Sequence, residues 1–387
     1  MWGKMKSKLF AITTLAALFL LCLPLIAEAA GENLGPGDMV KQFVQLDAWK
    51  VLYLFLLGFL GGLISGFIGS GGAFVLTPGM MSLGAPAAIA VASNMCHKFP
   101  KALVGAYKRY KYGQGDVKLG VIMATTAVIG VQLGIGVQKA IFAKWGAAGS
   151  NLYVSLVFVA VLTSLGLYML YDARRAASMQ KEDTTSRLAE RVKKINIPPM
   201  IHFKVANTRV SFWIVAPIGL GTGMLAATIA VGGFIGVPGM IYILGAPAIV
   251  ASATELVVAF LMGLTGTITW ALGGFVDIRL VLLILAGSLI GVQLGAVGTT
   301  YVKEYMIKVV MATIMLIVAV SRGIAIPTYL HELGLLSLSP STIGVLKNTS
   351  FIVMCLALAT GGVIILGNMW KKKKEVGVET ETVAAKV

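Results

Sequence analysis

Apolar runs separated by short polar turns fill the chain, and they come in two lengths. Trp49 to Ser70 is long enough, at ~1.5 Å per residue, to cross a ~30 Å hydrocarbon core as a helix. Comparable runs from Val117 to Phe142, Asn151 to Tyr171, Ser211 to Val231 and Pro247 to Leu272 read as further spans, as do residues 279–301, 305–326 and 346–369. Pro86 to Val104 reads as a return pass. Residues 71–84 and 232–245 are too short to cross upright. Each opens on a glycine pair, and each is expected to be a half-length or re-entrant helix, with Pro78 at a helix start or kink. Such backbone is tolerated at membrane depth only inside protein or against a watery cavity.

These two short elements belong to a duplicated pattern. Gly71-Gly72 matches Gly232-Gly233, Gly84-Ala85-Pro86 matches Gly245-Ala246-Pro247, and Gly130-Val131-Gln132-Leu133-Gly134 matches Gly291-Val292-Gln293-Leu294-Gly295, all at an offset of 161 residues. The loop around Asp116 carries Lys108, Arg109, Lys111 and Lys118, whereas its counterpart at Asp277 has only Arg279 nearby. Cationic loops stay on the cytoplasmic side, so the equivalent loops are expected on opposite faces and the halves in inverted topology. The expected fold class is therefore all-α, a polytopic transmembrane bundle of two inverted repeats with broken or re-entrant helices.

Composition agrees with a membrane protein and removes other classes. Of 387 residues 57% are hydrophobic and 12% charged, too little polar surface to cover a soluble globule. The net charge of +16 is confined to loops and the C-terminal tail without an aromatic-studded basic face, so nucleic acid is not an expected partner. Cys22, Cys96 and Cys355 have neither disulfide-framework nor metal spacing. Residues 1–30 have the layout of a signal peptide, with Lys4, Lys6 and Lys8, an apolar run, and Ala27-Glu28-Ala29; the alternative is a first membrane helix. Repeat 1 is placed at 49–172, a basic cytoplasmic linker at 173–210 with a short helix within Ser186 to Ile195, and repeat 2 at 211–326. An additional span at 346–370 and a cytoplasmic tail at 371–387, opened by Lys371 to Lys374, complete the chain.

Paired broken helices in inverted repeats point to a transporter site, because unwound ends offer unpaired backbone groups to a substrate and helix N-termini favour anions. Ser70, Gly71 and Gly72 are thus expected to face Val231, Gly232 and Gly233 across a two-fold site. The competing reading is close helix packing by small residues. Glu255 lies in an apolar stretch, where an ionisable group costs several kcal/mol unless paired, hydrated or protonated, and is the candidate proton carrier; a structural buried Glu is the alternative. Its equivalent is Asn94, and Ser93 stands opposite Thr254, so these four are candidate pathway lining. Gln132 and Gln293 are a candidate symmetric pair, or helix bridges. Asp116 and Asp277 read as N-caps. His97 and Lys98 read as a cytoplasmic mouth or a snorkelling cation. No Walker motif, nucleophile elbow or metal-ligand cluster is present in the sequence, so neither an enzyme nor a cofactor or metal is expected, and an ion or substrate gradient is the energy source.

Residues 58–94, GFLGGLISGFIGSGGAFVLTPGMMSLGAPAAIAVASN, and their repeat resemble the glycine-rich opening of each half in the sulfite exporter TauE/SafE family, over most of residues 50–325. Gly69, Gly71 and Gly72 match the family's broken-helix glycines, and Gly232 and Gly233 do so in the second half, where Ala230 and Val231 replace neighbouring glycines. The resemblance implies a secondary transporter of sulfur oxyanions or organosulfonates. The resulting expectation is a permease of the bacterial inner membrane, with a small anionic substrate, membrane lipid and a second copy of the chain as its admissible partners. The rivals are a transporter of metal cations or another organic acid, and a non-transporting assembly or sensor protein docking through the linker.

Overall fold

With almost no water to satisfy backbone groups, an apolar run must bond its own N–H and C=O groups, and the runs fold as helices. The computed structural model describes residues 42–68, 73–178, 187–193, 195–298 and 304–384; the signal-like residues 1–30 and Ser70, Gly71 and Gly72 lie outside them. In order, the helices are α1 (Ala48–Ile68), α2 (Ala73–Ser82), α3 (Ala87–Lys111), α4 (Val117–Ser178), α5 (Arg187–Lys193), α6 (Phe212–Ile229), α7 (Gly233–Pro238), α8 (Ala248–Leu272), α9 (Ile278–Gly298), α10 (Glu304–Glu332) and α11 (Pro340–Ala384). Among the described residues seven helices are long and apolar enough to cross a membrane. The protein is a multi-pass helical membrane protein.

Both short elements are helical. α2 has 10 residues and keeps Pro78 inside it. α7 has 6 and runs on into a π-turn, Gly239–Ile243. At ~1.5 Å per residue α2 spans about half a hydrocarbon core. Several boundaries differ from the sequence reading. Val117 to Ser178 is continuous except at Gly146, whose φ of 64° breaks it into two arms, so the gap between the runs ending at Phe142 and starting at Asn151 is helical but for one residue. Pro327, just past the run at 305–326, lies inside α10, which continues to Glu332. The linker holds α5 and also a hairpin, β1 (Met200–Phe203) with β2 (Thr208–Ser211), paired antiparallel with Phe203 opposite Thr208.

The chain divides into two compact units, and neither coincides with a sequence half. Unit 1 holds Pro86–Ser150 and Asp183–Val281; unit 2 holds Val44–Ala85, Asn151–Glu182 and Leu282–Val387. In unit 1, α3 packs along α8, and α6 lies on the first arm of α4. In unit 2, α10 packs along α11, and α1 lies on α9.

The two glycine-lined pairs are copies of one arrangement with the halves exchanged. Gly58 and Gly62 of α1 rest on the backbone of Ile284 and Ser288, and Gly287 and Gly291 of α9 rest on Phe55 and Phe59. In unit 1, Gly219 and Gly223 of α6 rest on Met123 and Ala127, while Gly130 rests on Leu220 and Gly134 on Met224 and Ala227. A Cβ at any of these glycines would collide with the facing helix, so the glycines set the close approach. An α1-type helix from each half thus packs on an α9-type helix from the other.

Candidate functional site

α3 and α8 bring a polar stripe and an acid together inside unit 1. Asn94, His97, Lys98 and Lys101 recur at i, i+3, i+4 and i+7, one face of α3. Asn94 is fully buried, His97 is 1% exposed and Lys98 7%. Lys98 therefore does not snorkel. Glu255 of α8 is fully buried, and Lys98 is the charged group that acts on it. Neither carboxylate oxygen of Glu255, neither ring nitrogen of His97, nor Lys98 Nζ has a hydrogen-bond partner. Opposite charges buried without direct bonding leave a set of donors and acceptors waiting for a ligand, a water or a proton.

The broken segment of the second half abuts this cluster. α6 ends at Ala230, whose φ of 61° is left-handed, and its N–H donates to Ala226 O at 2.8 Å. Val231, Gly232 and Gly233 follow, all buried, and Gly232 O accepts from Ile235 and Gly236 N–H. Gly236 of α7 lies on the Glu255 carboxylate, since a Cβ there would collide with Oε2. Half-helix α7 and the acid are in contact.

Ser93 and Thr254 have a role that spacing did not disclose. Asp277 N–H donates to Ser93 Oγ at 3.1 Å, and Asp116 N–H donates to Thr254 Oγ1 at 3.0 Å. Each half thus anchors the start of the other half's fourth helix, by the same two positions. Asp116 caps α4 through Leu119 N–H at 3.1 Å, and its other oxygen accepts from Val205 and Ala206 N–H at 3.0 and 3.1 Å, fastening the linker hairpin to that helix start. Asp277 accepts from its own N-terminal turn and pairs with Arg279 at 2.8 Å.

The glutamines part company. Gln132 is buried and accepts the Thr269 hydroxyl at 3.0 Å, bridging α4 and α8. Gln293 is exposed on α9. Missed altogether in the sequence was Arg322 on α10, 1% exposed, although an arginine within an apolar span carries the same signal that singled out Glu255. No group of three His, Cys, Asp or Glu side chains able to hold a metal occurs among the described residues.

The family model described as "Sulfite exporter TauE/SafE" matches residues 54–322. The chain is 25% identical over 261 residues to the probable membrane transporter protein YdhB of Bacillus subtilis (strain 168), covering 66% of this chain and 94% of that protein. It is 20% identical over 274 residues to the probable membrane transporter protein YunE of the same organism, covering 68% and 94%. No solved structure matches the chain.

Proposed function

We propose, from the premise that the chain belongs to the sulfite exporter TauE/SafE family of membrane transporters, that it moves a small sulfur oxyanion or organosulfonate across the bacterial inner membrane by alternating access, with Glu255 as proton carrier. The observation that carries this reading is the unpartnered Glu255 against half-helix α7, with the unpartnered Lys98 and His97 on α3, the helix packed along α8. Lys98 supplies positive charge and, with the His97 ring, donors for an oxyanion. An anion arriving at Lys98 competes with the Glu255 carboxylate, and a proton on Glu255 removes that competition. Anion entry and proton uptake thereby become linked.

Asn94, Ser93, Thr254 and Gln132 enter this reading as polar lining of the pathway, and Val231, Gly232 and Gly233 as its break. Ser70, Gly71 and Gly72 enter the reading through sequence equivalence alone, as does Gln293. The exchanged glycine-lined pairs and the contrast between the basic Asp116 loop and the Asp277 loop favour inverted repeats. Positive-inside bias then places the linker and the C-terminal Lys371 to Lys374 in the cytoplasm.

Proteoliposomes holding the full chain test the reading. Saturable flux of sulfite or a small alkylsulfonate, enhanced by a pH gradient, is expected. E255Q is expected to lose the pH drive while keeping anion-for-anion exchange. Saturable cation uptake without anion flux overturns the anion assignment, and pH-driven flux unchanged in E255Q removes the proton role.

A further inference from the structure

Arg322 sits sealed inside unit 2 with its charge uncompensated. Its Nη2 donates to Ser82 Oγ at 2.5 Å, Ser350 Oγ at 3.1 Å and Ser321 Oγ at 3.3 Å. Each of these hydroxyls gives its own hydrogen elsewhere: Ser82 to Pro78 O at 3.0 Å, Ser321 to Ser350 O at 2.7 Å, and Ser350 to Ser321 O at 2.8 Å. They meet the guanidinium only as neutral acceptors. Tyr329 adds a side-chain hydrogen bond to the guanidinium and Tyr53 is a further polar neighbour, and no carboxylate pairs with it among the described residues.

The donors are unevenly used. One nitrogen serves three oxygens, while Nε and Nη1 are buried without a hydrogen-bond partner. A guanidinium keeps its proton in proteins, so it cannot relieve burial by becoming neutral as a lysine does. Among the described residues nothing supplies the counter-charge, and an anionic ligand would supply it. We propose that Arg322, with Ser82, Ser321 and Ser350 holding its plane, forms a binding site for a small oxyanion that accepts the free donors on Nε and Nη1. The site deepens the anion-transport reading and rests on it: Ser82 is the last residue of half-helix α2, so an anion at Arg322 is a station at the first half's short element. Sulfite and sulfonates suit it because they spread one charge over several acceptor oxygens, as an arginine fork requires.

Binding of sulfite to the purified full chain, measured against chloride at equal ionic strength, tests this. Wild type is expected to bind sulfite, and R322Q to bind it about 30-fold more weakly, the scale for removing one partner of a buried charge pair. Should R322Q not yield folded protein, R322K keeps the charge but loses the planar fork and is expected to bind about tenfold more weakly. Wild-type affinity in either folded variant overturns the site while leaving anion transport standing. Absence of sulfite and alkylsulfonate binding in wild type overturns both. Phosphate analysis of the same preparations separates sources: phospholipid that co-purifies with wild type and is lost in R322Q assigns the oxyanion to a lipid headgroup.

Discussion

Unit 1 and unit 2 each bury a cation, but they surround it differently. Lys98 in unit 1 faces an acid, Glu255, and a histidine; Arg322 in unit 2 faces three serine hydroxyls and, among the described residues, no carboxylate. The first cluster can reach neutrality by moving a proton, because lysine, glutamate and histidine all titrate. The second cannot, because its cation is permanent and its neighbours are neutral. Protonation can therefore change the net charge of the unit 1 cluster, whereas at Arg322 the cation persists at any pH.

The largest effect expected to separate them is at Lys98. K98M strands the Glu255 carboxylate and is expected to cost about 3 kcal/mol, the scale for breaking a buried pair. The deficit should shrink as pH falls, since a protonated carboxyl carries no charge to strand, and the double variant K98M/E255Q should recover most of it. Chemical unfolding in detergent at pH 5 and pH 8 gives the answer. A deficit independent of pH, or additive single effects, breaks the comparison by showing that Lys98 and Glu255 do not act on each other.

A smaller effect belongs to the serine lock of unit 2. S350A removes an acceptor from Arg322 and one of two reciprocal bonds between α10 and α11, with an expected cost of about 1.5 kcal/mol that does not change between pH 5 and pH 8. A marked pH dependence would mean that a titrating group shares the Arg322 site. The smallest effect is a gain. Ala230 holds a left-handed conformation at the break next to the Glu255 cluster, and A230G is expected to stabilise by about 0.5 kcal/mol as relief of side-chain strain exceeds the added freedom of the unfolded chain. Thermal unfolding that shows a loss instead would assign the Ala230 methyl a packing role greater than its strain.

Much of this architecture is legible in the order of residues. Run lengths predict the spans, the glycine pairs predict the two short elements, and the 161-residue offset predicts the duplication. Glu255 stands out because an acid in an apolar run is costly, and the same argument applied to AVSRGIAIP finds Arg322. The stripe Asn94, His97, Lys98, Lys101 is also visible as helical spacing. What spacing did not reveal is which of these side chains are buried. Gln132 and Gln293 have identical neighbours in sequence, yet one is buried against Thr269 and the other is exposed, because α8 covers Gln132 and no helix among the described residues covers Gln293. The hairpin at Met200–Ser211 was hidden for a related reason: it is secured by Asp116, 89 residues away from Val205.

By itself the sequence determined a helical membrane protein with a doubled pattern and a short helix in each half, because helix formation in lipid is local and each backbone group finds its partner within its own run. Only the tertiary structure decided that the halves interleave, that Ser93 and Thr254 each hold the other half's helix start across 184 and 138 residues, and that Glu255, Lys98, His97 and Arg322 keep buried groups unpaired. Whether a polar group is satisfied depends on which distant helix packs against it, and a hydropathy pattern carries no record of that choice.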